Sequence, residues 1–162
     1  LTIGTKPDGS LWRIGVQRPD AERSAYIGIV RTADRTVVTS GPYERFFVED
    51  GVRYHHILNP KTGYPSRNGL EQVTIVADRS IDADALSTAC YVLGLEAGRR
   101  LAESTTNVEA IFVTEEREVH LTSGISLRSS EGPAQPRDSS GKSEGPAYTE
   151  FEVTDEAYRV VD

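Results

Sequence analysis

Gln72-Val73-Thr74-Ile75-Val76, followed after Asp78-Arg79 by Ser80-Ile81-Asp82-Ala83-Asp84-Ala85-Leu86-Ser87-Thr88-Ala89-Cys90-Tyr91-Val92-Leu93, is where the chain changes its period. The first five residues are β-branched or otherwise strand-compatible. From Ile81 onward, Ile81, Ala85, Ala89, Val92 and Leu93 recur at helical spacing and predict one apolar helix face. Ser80 or Asp82 can cap that helix at its start, and Gly94 interrupts it before a second helical run over Glu96 to Glu103. Val108 to Val113 and Val119 to Leu121 then read as a hairpin.

Upstream the chain is strand-rich. Leu1 to Gly4 is strand-like, and Leu11 to Val16, Ala25 to Val30 and Thr36 to Thr39 are short strands separated by turns. Tyr43 to Val48 and Val52 to Ile57 flank Asp50-Gly51, a tight-turn signal that predicts a hairpin. Strands and helices are mixed without regular alternation, so the expected class is α+β, a mostly antiparallel sheet with one or two packed helices. Ser123 to Ala147 is rich in Ser, Gly and Pro, with almost no apolar residue after Leu127, and is read as a flexible insertion. It divides a core over 1–122 from a terminal strand within 148–162.

The chain has 162 residues, 37% of them hydrophobic, enough for one core, and no apolar run approaches a membrane span. A net charge of −7 argues against a polyanionic partner, so nucleic acid is not expected. A single cysteine, Cys90, excludes an internal disulfide and a multi-cysteine zinc site.

Three stretches carry potential chemistry. In Thr39-Ser40-Gly41-Pro42-Tyr43-Glu44-Arg45, hydroxyls, a glycine and a nearby arginine suit phosphate or the polar edge of a flavin; the plain alternative is a strand-to-turn junction. In Tyr54-His55-His56-Ile57-Leu58-Asn59-Pro60-Lys61-Thr62-Gly63-Tyr64-Pro65, the adjacent histidines face opposite sides of the strand. One can act as a general base while the other packs or meets solvent. Pro60 and Pro65 stiffen the loop, and Gly63 permits close approach. In the third stretch, Asp84 and Thr88 lie one turn apart, and two hard oxygens at that spacing suit Mg²⁺, unless the acids only favour the helix start.

In wording and order these stretches resemble the FAD:protein FMN transferase family, also called the ApbE family. Its members carry Thr-Ser-Gly…Tyr-Glu-Arg, His-Ile…Pro…Thr-Gly-Tyr-Pro and Ala-Asp-Ala-Leu…Thr, here Thr39 to Arg45, His56 to Pro65 and Ala83 to Thr88. The likeness runs from about Leu1 to Leu121. It implies an ApbE-like, T-fold-related architecture and Mg²⁺-dependent transfer of FMN from FAD to a threonine or serine of a target flavoprotein, with release of AMP. It implies further that Asp84 and Thr88 bind the metal and that His56 is the base. Thr39, Ser40, Gly41, Tyr43, Arg45, His56, Ile57, Thr62 and Gly63 would line the FAD pocket. An FAD pyrophosphatase and a non-catalytic flavin-binding module are the alternatives. Asn59 stands where many members have aspartate, and the family's amino-terminal half, with its Ala-Lys-Gly segment and further flavin and metal contacts, is not found. That segment, or a partner chain, is expected to complete the site. The family likeness points to the bacterial cell envelope.

Overall fold

The computed structural model describes residues 1–19, 24–128 and 149–161. Its elements are β1 (Trp12–Gln17), β2 (Tyr26–Thr32), β3 (Thr36–Ser40), β4 (Phe46–Glu49), β5 (Val52–His55), β6 (Leu70–Ala77), α1 (Ser80–Leu93), α2 (Leu95–Ser104), β7 (Val108–Thr114), β8 (Glu118–Leu121), β9 (Ile125–Leu127), β10 (Thr149–Val153) and β11 (Arg159–Val160). A five-stranded sheet has the order β11-β8-β7-β6-β3 and a four-stranded sheet the order β1-β2-β10-β9; β4 and β5 pair only with each other. Pairing is antiparallel except for β9 with β10 and β8 with β11. The class is the α+β expected from the sequence.

The five-stranded sheet forms the middle layer, because β6 and β7 are apolar on both faces. Val73, Ile75, Ala77, Ala110 and Phe112 point to a core shared with α1 and α2. The alternate residues Val76, Ile111 and Val113 point to a second core with Val16, Ile27, Val30 and Phe151 of the other sheet. A strand buried on both faces needs such a continuous apolar run. The β4–β5 turn is made by Asp50 and Gly51, both at positive φ (49° and 75°), the geometry of a two-residue hairpin.

Several expectations are corrected. Residues 1–10 form no strand; Thr2 instead bonds twice to the Arg35 carbonyl, through its amide and its hydroxyl. Helix α1 has Arg79 at its cap position with no side-chain cap, since Ser80 is already helical and its hydroxyl meets that of Thr36 at 3.1 Å. Its buried face is Ala83, Ser87, Cys90 and Tyr91, whereas Ile81 and Leu93 are 67% and 51% exposed. Tyr91, with Leu86 and Val92 beside it, packs into the helical core, and the small Ala83, Ser87 and Cys90 fill the rest of that face. Ile125–Leu127, assigned by composition to the insertion, form β9 beside β10. The expected insertion over 129–147 lies outside the described residues.

Candidate active site

Alternation along β3 sorts its side chains between the two cores. Val37 packs with the inter-sheet core and Val38 with the helical one. Thr39 and Ser40 are divided in the same way. Thr39 bonds across the ladder to Thr74 (Oγ1 to Oγ1, 2.8 Å), while Ser40 meets α1, with its Oγ 2.7 Å from that of Ser87 and 3.1 Å from Oγ1 of Thr88. The hydroxyls of Thr39 and Ser40 thus find partners on opposite faces of β3.

The first and third motifs thus meet at Ser40 and Thr88. Asp84 and Thr88 are exposed. The backbone carbonyl of Asp84 accepts from Ser87 Oγ (3.0 Å) and from Thr88 Oγ1 (3.4 Å). Among the described residues no group of three or more His, Cys, Asp or Glu is gathered to hold a metal alone. A carboxylate with two hydroxyls nearby is nevertheless an all-oxygen donor set, and that chemistry fits a hard cation such as Mg²⁺. Ser87 had no place in the sequence reading. Its signal was available, since it lies three residues after Asp84 within the same motif.

The second motif begins at the end of β5. His55 is buried at 8% exposure. Its Nε2 lies 3.1 Å from the Ser66 carbonyl, and its Nδ1 receives the amide of Ile57 at 3.3 Å. Those partners fix a neutral tautomer with the proton on Nε2. Burial, the largest cause, holds its pKa below the usual histidine value. His56 is exposed, and both its amide and its Nδ1 lie 3.2 Å from the carbonyl of Arg45. The last residue of the first motif thus anchors the candidate base of the second. Ile57 belongs to the core, so its side chain is not available to line a flavin pocket.

The Asn59–Tyr64 loop is held by its own bonds. The Asn59 carbonyl accepts from Thr62 and Gly63, the Asn59 side chain accepts from Lys61, and Thr62 Oγ1 accepts from Tyr64. An aspartate could make the same acceptance from Lys61, so asparagine keeps the turn. Gly63 has φ +72° and open space where a Cβ would stand, whereas a Cβ on Gly41 would meet the Tyr43 ring at 2.4 Å. Gly41 therefore admits the chain's own tyrosine. Tyr43 donates to Gln72 Oε1 at 2.7 Å, and its pKa is pushed up to about 12 by burial and then by Glu44 and Glu71. It is a neutral phenol at physiological pH.

Behind the β4–β5 hairpin lie two adjoining cavities that share Pro42, Arg53 and Glu115. One of about 480 Å³ is bounded by Tyr43, Phe46 and Glu71, the other, of about 550 Å³, by His55, Ser66 and Tyr91. Neither carboxylate was anticipated from the sequence. Glu71 follows Leu70 within β6 and Glu115 follows Thr114 at the end of β7, and neither lies in one of the three motifs.

The sequence model of the ApbE family matches residues 1–112. The FAD:protein FMN transferase of Treponema pallidum (strain Nichols) is 45% identical over 114 residues, covering 70% of this chain and 32% of that protein. The FAD:protein FMN transferase of Klebsiella pneumoniae (strain 342) is 43% identical over 117 residues, covering 72% of this chain and 37% of that protein. Among solved structures, the ApbE protein of Thermotoga maritima superposes with TM-score 0.63 at 39% identity, covering 70% of this chain and 37% of that one. The flavin transferase ApbE of Vibrio cholerae gives 0.60 at 31% identity, covering 74% and 38%. The chain spans about a third of the length of the curated relatives it matches.

Proposed function

The chain belongs to the ApbE family, and on that premise we propose that it carries the base and the metal pair of an FAD:protein FMN transferase. The observation that carries this is the match to transferases over residues 1–112, which contain all three motifs. That Ser40 reaches Thr88 between two of those motifs supports it.

The family likeness implies the reaction, and the residues take these roles in it. His56, exposed and held at Arg45, takes the proton of an acceptor threonine or serine hydroxyl. The hydroxyl oxygen forms a bond to the FMN phosphorus of FAD while the pyrophosphate P–O bond breaks, and AMP leaves with the electron pair. Asp84 and Thr88 would hold Mg²⁺, which when bound neutralises charge on the pyrophosphate. The neutral Tyr43 phenol is a packing wall whose hydroxyl is occupied by Gln72. Two protein ligands are few for a cation that wants about six oxygens, so water, substrate phosphates and a further segment or partner chain complete the site. The family likeness makes the bacterial cell envelope the proposed compartment.

The deciding assay combines the chain and the remaining family segment, supplied in trans, with FAD, Mg²⁺ and a peptide bearing an acceptor threonine, and follows flavin fluorescence on the peptide. Covalent flavin is the expected product, dependent on both His56 and Asp84. Free FMN with unmodified peptide would replace the reading by a pyrophosphatase, which the exposure of His56 to water favours as the second candidate. Neither product would leave a binding module.

A further inference from the structure

Three hydroxyls and one carbonyl at the β3–α1 seam have more contacts than protons. Ser40 Oγ lies 2.7 Å from Ser87 Oγ and 3.1 Å from Thr88 Oγ1; Ser87 Oγ lies 3.0 Å from the Asp84 carbonyl, and Thr88 Oγ1 lies 3.4 Å from it. Each hydroxyl has one proton to donate and two lone pairs to accept with. The carbonyl has no proton, so Ser87 serves the shorter contact and donates to it at 3.0 Å. The oxygen of Ser87 must then accept at the 2.7 Å contact, and the donor is Ser40. With the Ser40 proton spent, the 3.1 Å contact exists only if Thr88 donates. The order is Thr88 to Ser40 to Ser87 to the Asp84 carbonyl. Should Thr88 turn instead to that carbonyl at 3.4 Å, it is again a donor. In both arrangements no proton points at the Thr88 oxygen, and its lone pairs stay open one helical turn after Asp84.

We propose that Ser87 is a positioning residue that keeps the Thr88 oxygen open to a hard cation by accepting the proton of Ser40. Ser87 is fully buried on the sheet side of α1 and cannot touch a ligand itself. This deepens the reading of Asp84 and Thr88 as a metal pair and rests on it. Removing the Ser87 oxygen leaves the Ser40 proton without its acceptor, and it turns to Thr88, where it competes with the cation. Removing the Ser40 hydroxyl as well removes the competing proton. Loss of a partner that orients a metal ligand typically costs 10- to 100-fold in affinity.

The test is Mn²⁺ binding to the full chain complemented in trans with the remaining family segment, followed by electron paramagnetic resonance and so independent of transfer activity. Ser87→Ala is expected to weaken Mn²⁺ about tenfold or more while circular dichroism stays unchanged. The double variant Ser40→Ala with Ser87→Ala is expected to recover most of that loss, which a packing defect at Ser87 would not do. Asp84→Ala is the control for the metal site. If Asp84→Ala abolishes binding but Ser87→Ala binds within twofold of the parent, or if the double variant is no better than the single, the proton-ordering role is overturned and the metal reading stands. If the parent binds no Mn²⁺, or Asp84→Ala binds as well as the parent, the metal reading falls and this inference falls with it. Should Ser87→Ala alone be unfolded, the double variant decides: a folded double variant with parental affinity upholds the role, and a weakened one refutes it.

Discussion

Replacing His55 and His56 by alanine, one at a time, should separate stability from chemistry. His55→Ala removes a ring that meets the Ser66 carbonyl and the Ile57 amide and packs edge-on to Tyr91, with ring centroids 6.1 Å apart. Two backbone groups are then left without partners, each costing about 1–3 kcal/mol if it stays dry. His55 and Ser66 line the cavity of about 550 Å³, so water can reach part of the gap and relieve some of that cost. The expected loss is about 2–4 kcal/mol, a large share of the 5–15 kcal/mol typical of a domain. His56→Ala keeps the backbone bond to Arg45 and loses only an exposed ring contact, so its stability should change by less than about 0.5 kcal/mol. Transfer should nevertheless fall by roughly 10²–10⁴ in a competent assembly. Urea unfolding measures the first quantity and flavin incorporation the second. A loss below about 1 kcal/mol for His55→Ala, or equal loss of transfer from both variants at matched folded fractions, would refute the division of roles.

Three further outcomes follow from packing and charge. The folded pKa of His55 lies below its unfolded value near 6.5, so the unfolded chain binds the extra proton first. Its contribution is therefore present above pH 6.5 and lost as pH falls towards the folded pKa; urea midpoints between pH 7.5 and 5 should drop more steeply for the parent than for His55→Ala, and parallel slopes would contradict this. Gly98→Ala should destabilise by about 1–3 kcal/mol despite alanine's better helix propensity, because the new Cβ would meet the Cys90 carbonyl at 2.7 Å and Phe112 at 3.0 Å; an unchanged or raised melting temperature would show that α1 and α2 can part. Burial pushes the Cys90 thiol up to about 11, so Ellman's reagent at pH 8 should label it only on unfolding, and rapid labelling of folded chain would place it at the surface.

What the sequence revealed of the fold depended on how local the cause was. The β4–β5 hairpin was legible because Asp50-Gly51 supplies positive φ on its own. β6 and β7 were legible because two buried faces place apolar residues at both alternations, as in Val73 to Ala77 and Ala110 to Val113. β9 was not, since its ladder partner β10 arrives from residues 149–153 across a polar segment, and composition sees no such pairing. The face of α1 was misread for a related reason. Counting large apolar residues favoured Ile81 and Leu93, but the side turned to the sheet carries Ala83, Ser87, Cys90 and Tyr91.

The site poses a sharper version of the same problem, because its residues come in adjacent pairs on strands. Alternation says that Thr39 and Ser40 face opposite ways, and likewise His55 and His56, without saying which member of each pair turns towards the chemistry. The answer lies in where the polar atoms find partners. Thr39 is answered within the sheet by Thr74, and His55 by Ser66 and Ile57. Their neighbours remain for other work: Ser40 reaches into the Asp84–Thr88 turn, and His56 stands exposed at Arg45. A buried polar group needs a partner wherever it lies. For the histidines, internal satisfaction therefore marks His55 as the member that holds the fold, and exposed His56 is the one whose removal should cost activity rather than stability.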